Sequence, residues 1–124
     1  ISFDIVVDGN APTFPVLRIG STIASLNAPK ANISISRTAV TTNDPVRTIT
    51  VNNGAGSYNK NWFDIYMREF SIVNNVSPFG VDGLPYLVAG TTFWALEPGT
   101  NTISMSWSGG GSSFIEMIYR NRRY

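Results

Sequence analysis

Phe93-Trp94-Ala95-Leu96-Glu97-Pro98-Gly99-Thr100-Asn101-Thr102-Ile103-Ser104-Met105-Ser106-Trp107 is the stretch whose reading decides the fold. Pro98 fixes φ near the value a turn needs, and Gly99 tolerates the positive φ that follows. The pattern predicts a strand ending at Leu96, a tight turn, and a second strand leaving it. In that second strand Ile103, Met105 and Trp107 fall on one face, while Thr102, Ser104, Ser106 and Ser108 fall on the other. A strand with one apolar face needs a second layer to cover it, so the segment predicts a sandwich or barrel. It supplies no chemistry of its own.

Working outward, the same period recurs. Phe3, Ile5 and Val7 alternate with Asp4, Val6 and Asp8 in a first strand closed by Gly9-Asn10, and Asp4 and Asp8 share its outer face. Ala11-Pro12-Thr13-Phe14-Pro15 is a connection, because two prolines so close cannot feed a central ladder. Val16 to Ile19 is a short strand stopped by Gly20-Ser21, and Ile23 to Leu26 is a brief extended piece before a turn at Asn27-Ala28-Pro29-Lys30. Ile33 and Ile35 alternate with Asn32, Ser34 and Ser36. After a turn at Asn43-Asp44-Pro45, Arg47, Ile49 and Val51 oppose Val46, Thr48 and Thr50. Asn52-Asn53-Gly54-Ala55-Gly56 ends that strand with an Asn-Gly signal suited to a type I′ hairpin.

One segment breaks the pattern. Trp62, Phe63, Tyr66, Met67, Phe70 and Val73 recur at helical spacing, Asp64 and Arg68 are placed for an i,i+4 pair, and Asn61 suits a cap. A short helix within 61–74 is the expectation, against a strand template that groups Phe63, Ile65 and Met67 and is favoured by the aromatic and β-branched content. A loop follows from Asn74 through Pro85 to Tyr86-Leu87-Val88. Gly109-Gly110-Gly111 then leads into a last strand over Phe114 to Arg122, with Ile115, Met117 and Tyr119 opposite Phe114, Glu116, Ile118 and Arg120. Short strands at about ten-residue spacing with such punctuation are the signature of an all-β sandwich or barrel.

Composition narrows the chemistry. A chain of 124 residues is expected to form one domain, residues 1–124, and to bury about two thirds of the surface its unfolded form exposes. Opening on Ile1, it is expected to be an excised domain or a processed product of a longer chain. It has no cysteine, so neither a disulfide nor a thiolate nucleophile is available, and no histidine, so a Ser-His-Asp triad is excluded. With a formal charge of +1 and only 14% charged residues it presents no field to hold a polyanion, and nucleic acid is not an expected partner. No apolar run approaches the roughly 20 residues that span a bilayer, so membrane insertion is not expected.

The closing stretch has a second implication. Phe93 through Ile103, a Gly-rich turn, and then Phe114-Ile115-Glu116-Met117-Ile118-Tyr119-Arg120-Asn121-Arg122-Arg123-Tyr124 resemble the last strands of the carboxy-terminal domain of siphophage distal tail and related tail-tip proteins. Gly9-Asn10-Ala11-Pro12-Thr13-Phe14-Pro15-Val16-Leu17-Arg18-Ile19-Gly20 resembles that family's opening strand, small loop, proline and strand. The likeness touches both ends of the chain and leaves 61–74 uncovered. It implies an antiparallel galectin-like or jelly-roll β-sandwich with a structural, non-enzymatic role in the virion tail. The implied partners are other tail proteins and copies of this chain in a symmetric ring. The ring-forming amino-terminal domain usual in that family is not in this sequence.

Several residues stand out as candidates. Trp94, Trp107 and Phe114 suit a sugar-stacking platform, but core is the favoured reading because aromatics carry much of the buried area of a small sandwich. Tyr58, Trp62 and Tyr66, near a Gly-rich turn, are the better candidates for a ligand-facing or interface role. Arg120, Arg122, Arg123 and Tyr124 form an aromatic-and-arginine terminus of the composition enriched at interfaces. Pro98, Gly99 and Asn101 are read as a structural turn. Asp4, Asp8, Asp44, Asp64, Asp82 and Glu97 show no dense oxygen-ligand loop, and nothing marks Glu97 or Glu116 as a glycosidase acid, so no metal, cofactor or catalytic group is expected. The expected function is thus assembly in a phage tail tip. A carbohydrate-binding module for cell-surface or cell-wall glycans is the alternative, and an adhesin-like subunit a third class.

Overall fold

A computed structural model describes the backbone of residues 1–22, 32–52, 60–74, 81–82, 87–108 and 112–121. In chain order the strands are β1 (Ser2–Val7), β2 (Val16–Thr22), β3 (Asn32–Ala39), β4 (Arg47–Asn52), β5 (Lys60–Tyr66), β6 (Ser71–Asn74), β7 (Val81–Asp82), β8 (Gly99–Ser108) and β9 (Ser112–Ile118). They form a four-stranded sheet of order β1-β8-β3-β4 and a five-stranded sheet of order β7-β6-β5-β2-β9. Every pairing is antiparallel. No helix occurs among the described residues. The protein is an all-β, two-sheet sandwich.

Period-two alternation builds its interior. From the first sheet come Val7, Ile33, Ile35, Ile49, Val51, Ile103 and Met105; from the second come Leu17, Ile19, Phe63, Ile65 and Ile72, with Met67 following β5. All belong to one buried apolar cluster, and Phe3, Ile5, Ile115 and Met117 pack against it. Each fully buried aliphatic or Phe side chain contributes about 1.5–3 kcal/mol relative to exposure. The outer face of the first sheet is a hydroxyl lattice, with Ser34 facing Thr50 at 2.9 Å and Ser36 facing Thr48 at 2.8 Å. This explains how so many Ser and Thr residues sit in strands: they pair across the ladder on the wet side.

Residues 61–74 are not a helix. β5 runs through them in register with β2, from Val16 opposite Tyr66 to Thr22 opposite Lys60, and a turn over Met67–Phe70 leads into β6. The helical stripe left out Ile65 and Ile72, yet both are buried, and burial of Phe63, Ile65 and Met67 on alternate residues outweighs it. Asp64 takes its partner from the neighbouring strand, Arg18, rather than from Arg68.

The closing stretch also differs from expectation. Phe93–Leu96 joins no ladder among the described residues; Leu96 makes an isolated bridge to Thr13, in the connection between β1 and β2. β8 is therefore no hairpin partner of that segment; its neighbours are β1 and β3, distant in sequence. β4 and β5 lie in different sheets and so do not pair as a hairpin; the Asn53-Gly54-Ala55-Gly56 turn itself lies outside the described residues. Val81–Asp82, read as loop, pairs with β6. Ile103 and Met105 are buried as expected, but Trp107, near the end of β8, is 38% exposed. Trp94 is core at 2% exposure, whereas Phe114 is only half-buried. The last strand stops at Ile118, short of Arg122.

Candidate functional site

The predicted turn is a built corner. Gly99 has φ +88°, the left-handed region that favours glycine. Asn101 is fully buried: its Oδ1 accepts from the Glu97 N–H at 2.9 Å, and its Nδ2 donates to the carbonyls of Glu97 at 2.8 Å and Gly99 at 3.3 Å. One side-chain amide thereby bonds three backbone groups of the turn. Thr41 Oγ1 accepts from the Thr100 N–H at 3.0 Å, tying the corner to the end of β3.

A buried cation lies beside this corner. Arg37 continues the inward alternation of Ile33 and Ile35 and is 0% exposed. Its Nη2 donates to Asp44 Oδ2 at 2.6 Å and to the Pro45 carbonyl at 2.9 Å, and its Nη1 lies 3.8 Å from Glu97 Oε1. Arg47 Nε donates to the same Asp44 oxygen at 3.0 Å. The hydrogen bond from Arg47, then that from Arg37, holds the Asp44 carboxyl below its ordinary value of 3.8. A carboxylate whose folded pKa is depressed adds stability above its unfolded pKa, and that contribution is lost as pH falls through the folded one. Thermal stability is accordingly expected to drop below about pH 4. The drop is expected to be smaller in Asp44→Asn, as melting curves across an acid series would record.

Of the candidate binding residues, Tyr58, Arg122, Arg123 and Tyr124 lie outside the described residues. Trp62 falls in β5 with its backbone in register with Gly20, and its side chain is likewise outside the description. Tyr66 is half-buried on the outer face of the second sheet, lining a depression of about 290 Å³ with Arg18, Asp64, Glu116 and Ile118. Arg18 grips both oxygens of Asp64, from Nε at 2.7 Å and Nη2 at 3.0 Å, and that bond raises the Arg18 pKa above its ordinary value. Arg120 is exposed just past β9 and joins a different and larger concavity, of about 530 Å³.

That concavity sits at an open sheet edge. β9 pairs with β2 on one side, and among the described residues no strand pairs with the other. Ile118 is 73% exposed there, with Phe14 and Tyr119 about two-fifths exposed nearby. Arg68 and Arg120 flank them, neither in an ion pair within the described residues. Arg68 and Phe14 were not legible as site residues, because a turn after β5 and a loop before β2 bring them to Arg120.

Among the described residues no group of three or more carboxylates could hold a metal ion, and no helix is long and apolar enough to cross a membrane. In class, then, the chain is an antiparallel β-sandwich whose described residues include an apolar, basic edge and a smaller depression on the outer face. No family model, curated protein or solved structure matches it.

Proposed function

We propose that this domain is a non-enzymatic structural component of a tailed-phage virion, joining neighbouring subunits at the tail tip. The observation that carries the assembly role is the β9 edge: backbone that no strand pairs with among the described residues, exposed Ile118 and Tyr119, and the arginines Arg68 and Arg120 beside Phe14. Open edges invite strand addition, and proteins that do not use them usually blunt them. Tyrosine and arginine around an apolar centre form the composition of interface hot spots. Placement in a phage tail rests on the resemblance of the Pro98-Gly99-Asn101 corner and the aromatic-and-arginine terminus.

Sedimentation velocity tests the assembly role. Wild-type protein is expected to self-associate with rising concentration, and Ile118→Lys combined with Arg120→Glu to remain monomeric at an unchanged Tm. A wild-type monomer at every concentration would remove this domain as the seat of self-assembly.

A second reading, a glycan-binding module, is favoured by Tyr66 beside the Arg18–Asp64 pair and Glu116 on the outer face. An aromatic ring bordered by planar polar groups suits a sugar's two faces. Glycan-array binding lost in Tyr66→Ala or Trp62→Ala, with the fold intact, would support it. The absence of binding to any cell-wall sugar would dismiss it.

A further inference from the structure

At the corner end of the sandwich lies a cleft that no expectation from the sequence identified. It measures about 240 Å³, small beside the roughly 300–1,000 Å³ of sites for drug-sized ligands, so it suits a single ring. Trp94 and Met67 lie at its base, buried at 2% and 1% exposure, and Phe14, Phe70 and Phe93 line it. Asp44, Arg47 and Glu97 supply its polar side.

Three features set this cleft apart. Phe70 has φ +52°, a left-handed backbone that a bulky side chain adopts at a cost. The residue is nonetheless 64% exposed, its ring edge-on to Phe93 with centroids 5.7 Å apart. Nothing in the core requires a phenylalanine at such a position, since little of it is buried. Next, the Glu97 carboxylate lines the cleft with no hydrogen bond among the described residues; its nearest cation, Arg37, stands 3.8 Å away. Finally, Trp94 Nε1 and the Arg37 Nε and Nη1 atoms are buried donors with no hydrogen-bond partner among the described residues. Such groups are uncommon in folded proteins, and each calls for an explanation.

Charge decides what the cleft takes. Arg47 in the lining, together with Arg37, which is buried against Asp44 and Glu97 but does not line the cleft, balances the two carboxylates Asp44 and Glu97. A balanced set holds neither an anion nor a cation strongly, yet it offers ionised acceptors and donors to neutral hydroxyls. Beside aromatic rings this calls for a ligand with one C–H face and a rim of hydroxyls. We infer that the cleft bounded by Phe70, Phe93, Arg47 and Glu97 binds one pyranose residue of a neutral glycan. The pyranose lies against the aromatic rings and donates hydroxyls to the Glu97 carboxylate, while Arg47 donates to a ring or hydroxyl oxygen. This rests on the glycan-binding reading and moves its site from the outer sheet face to the corner end.

Amide chemical-shift titration of the whole chain with the methyl glycosides of glucose, galactose and N-acetylglucosamine tests it. Shifts are expected at Phe70 and Phe93–Glu97 with at least one of the three. Phe70→Gly and Glu97→Gln are each expected to weaken that binding about tenfold or more. Phe70→Gly suits the left-handed backbone, so its Tm is expected to stay at or above that of the wild type, which separates lost binding from lost folding. Glucuronate and glucosamine are expected to bind no tighter than their neutral counterparts. Shifts mapping to Tyr66 and Glu116 instead, insensitive to the cleft variants, would overturn this site and keep the glycan reading. No response to any of the three glycosides, together with a blank glycan array, would overturn both.

Discussion

Asp44→Ala is expected to destabilise the fold far more than removal of an exposed acid such as Glu69, although Asp44 itself is partly solvated. The reason lies in what it leaves behind. Arg37 is 0% exposed on the inner face of β3, and without Asp44 its nearest carboxylate is Glu97 at 3.8 Å. A buried cation deprived of its partner, as Arg37 would be, costs about 3–5 kcal/mol, against a total stability of about 5–15 for a domain. The same physics predicts a rescue. Arg37→Met fills a similar space without charge and is expected to be neutral or stabilising by about 1–4 kcal/mol. Combined with Asp44→Ala, it is expected to recover most of what the single change loses. Urea unfolding of the four proteins in this cycle gives the coupling directly. Additive effects would mean that Arg37 does not depend on Asp44, and the description of the corner would be wrong.

Gly99→Ala is the second large effect. At φ +88° an alanine pays about 1–2 kcal/mol for the left-handed backbone. Its Cβ would also lie 2.6 Å from Thr41 Cβ and 2.9 Å from Thr41 Cγ2, and in still closer contact with Thr41 Oγ1. Relieving such overpacking costs about 1–3 kcal/mol more. A combined loss near 3 kcal/mol lowers Tm by roughly 10–15 °C in a domain of this size. Thr41→Gly in the same background removes the clashing atoms and not the dihedral strain, so only part of the loss is expected to return. An unchanged melting temperature for Gly99→Ala would show that the corner tolerates a side chain and does not fix the start of β8.

Both effects concern a corner whose turn chemistry was legible, and the contrast with what was not is instructive. Pro98, Gly99 and Asn101 announce their conformation locally, because positive φ and a side chain bonding its own backbone are short-range events. The alternation of Ile103 with Met105, and of Ile33 with Ile35, likewise reveals the buried faces. Partner choice is not local. Nothing near Phe93–Leu96 shows that Leu96 would meet Thr13, or that β8 would lie between β1 and β3. In β5, aromatic residues satisfied two periods at once, and the pairing with β2 settled which one mattered. Trp107 kept the inward period but lies at the strand's end, where cover runs out.

The binding surfaces were less legible still. Arg120 and Ile118 were visible as part of one terminal stretch, but their companions Phe14 and Arg68 come from two other places in the chain. Arg37 carried a usable signal, since an arginine continuing the run Ile33, Ile35 must either point inward or break the alternation. Phe70 carried none, because positive φ at a phenylalanine follows from how the turn is closed, not from the residue's own preference.

Electron cryomicroscopy of intact particles tests the tail-tip proposal most directly. The result predicted is a ring of copies of this sandwich at the tail tip, with the β9 edge, Ile118 and Arg120 buried at the seam between neighbours. Particles that lack the polypeptide, or that carry it with the β9 edge facing solvent, would contradict it.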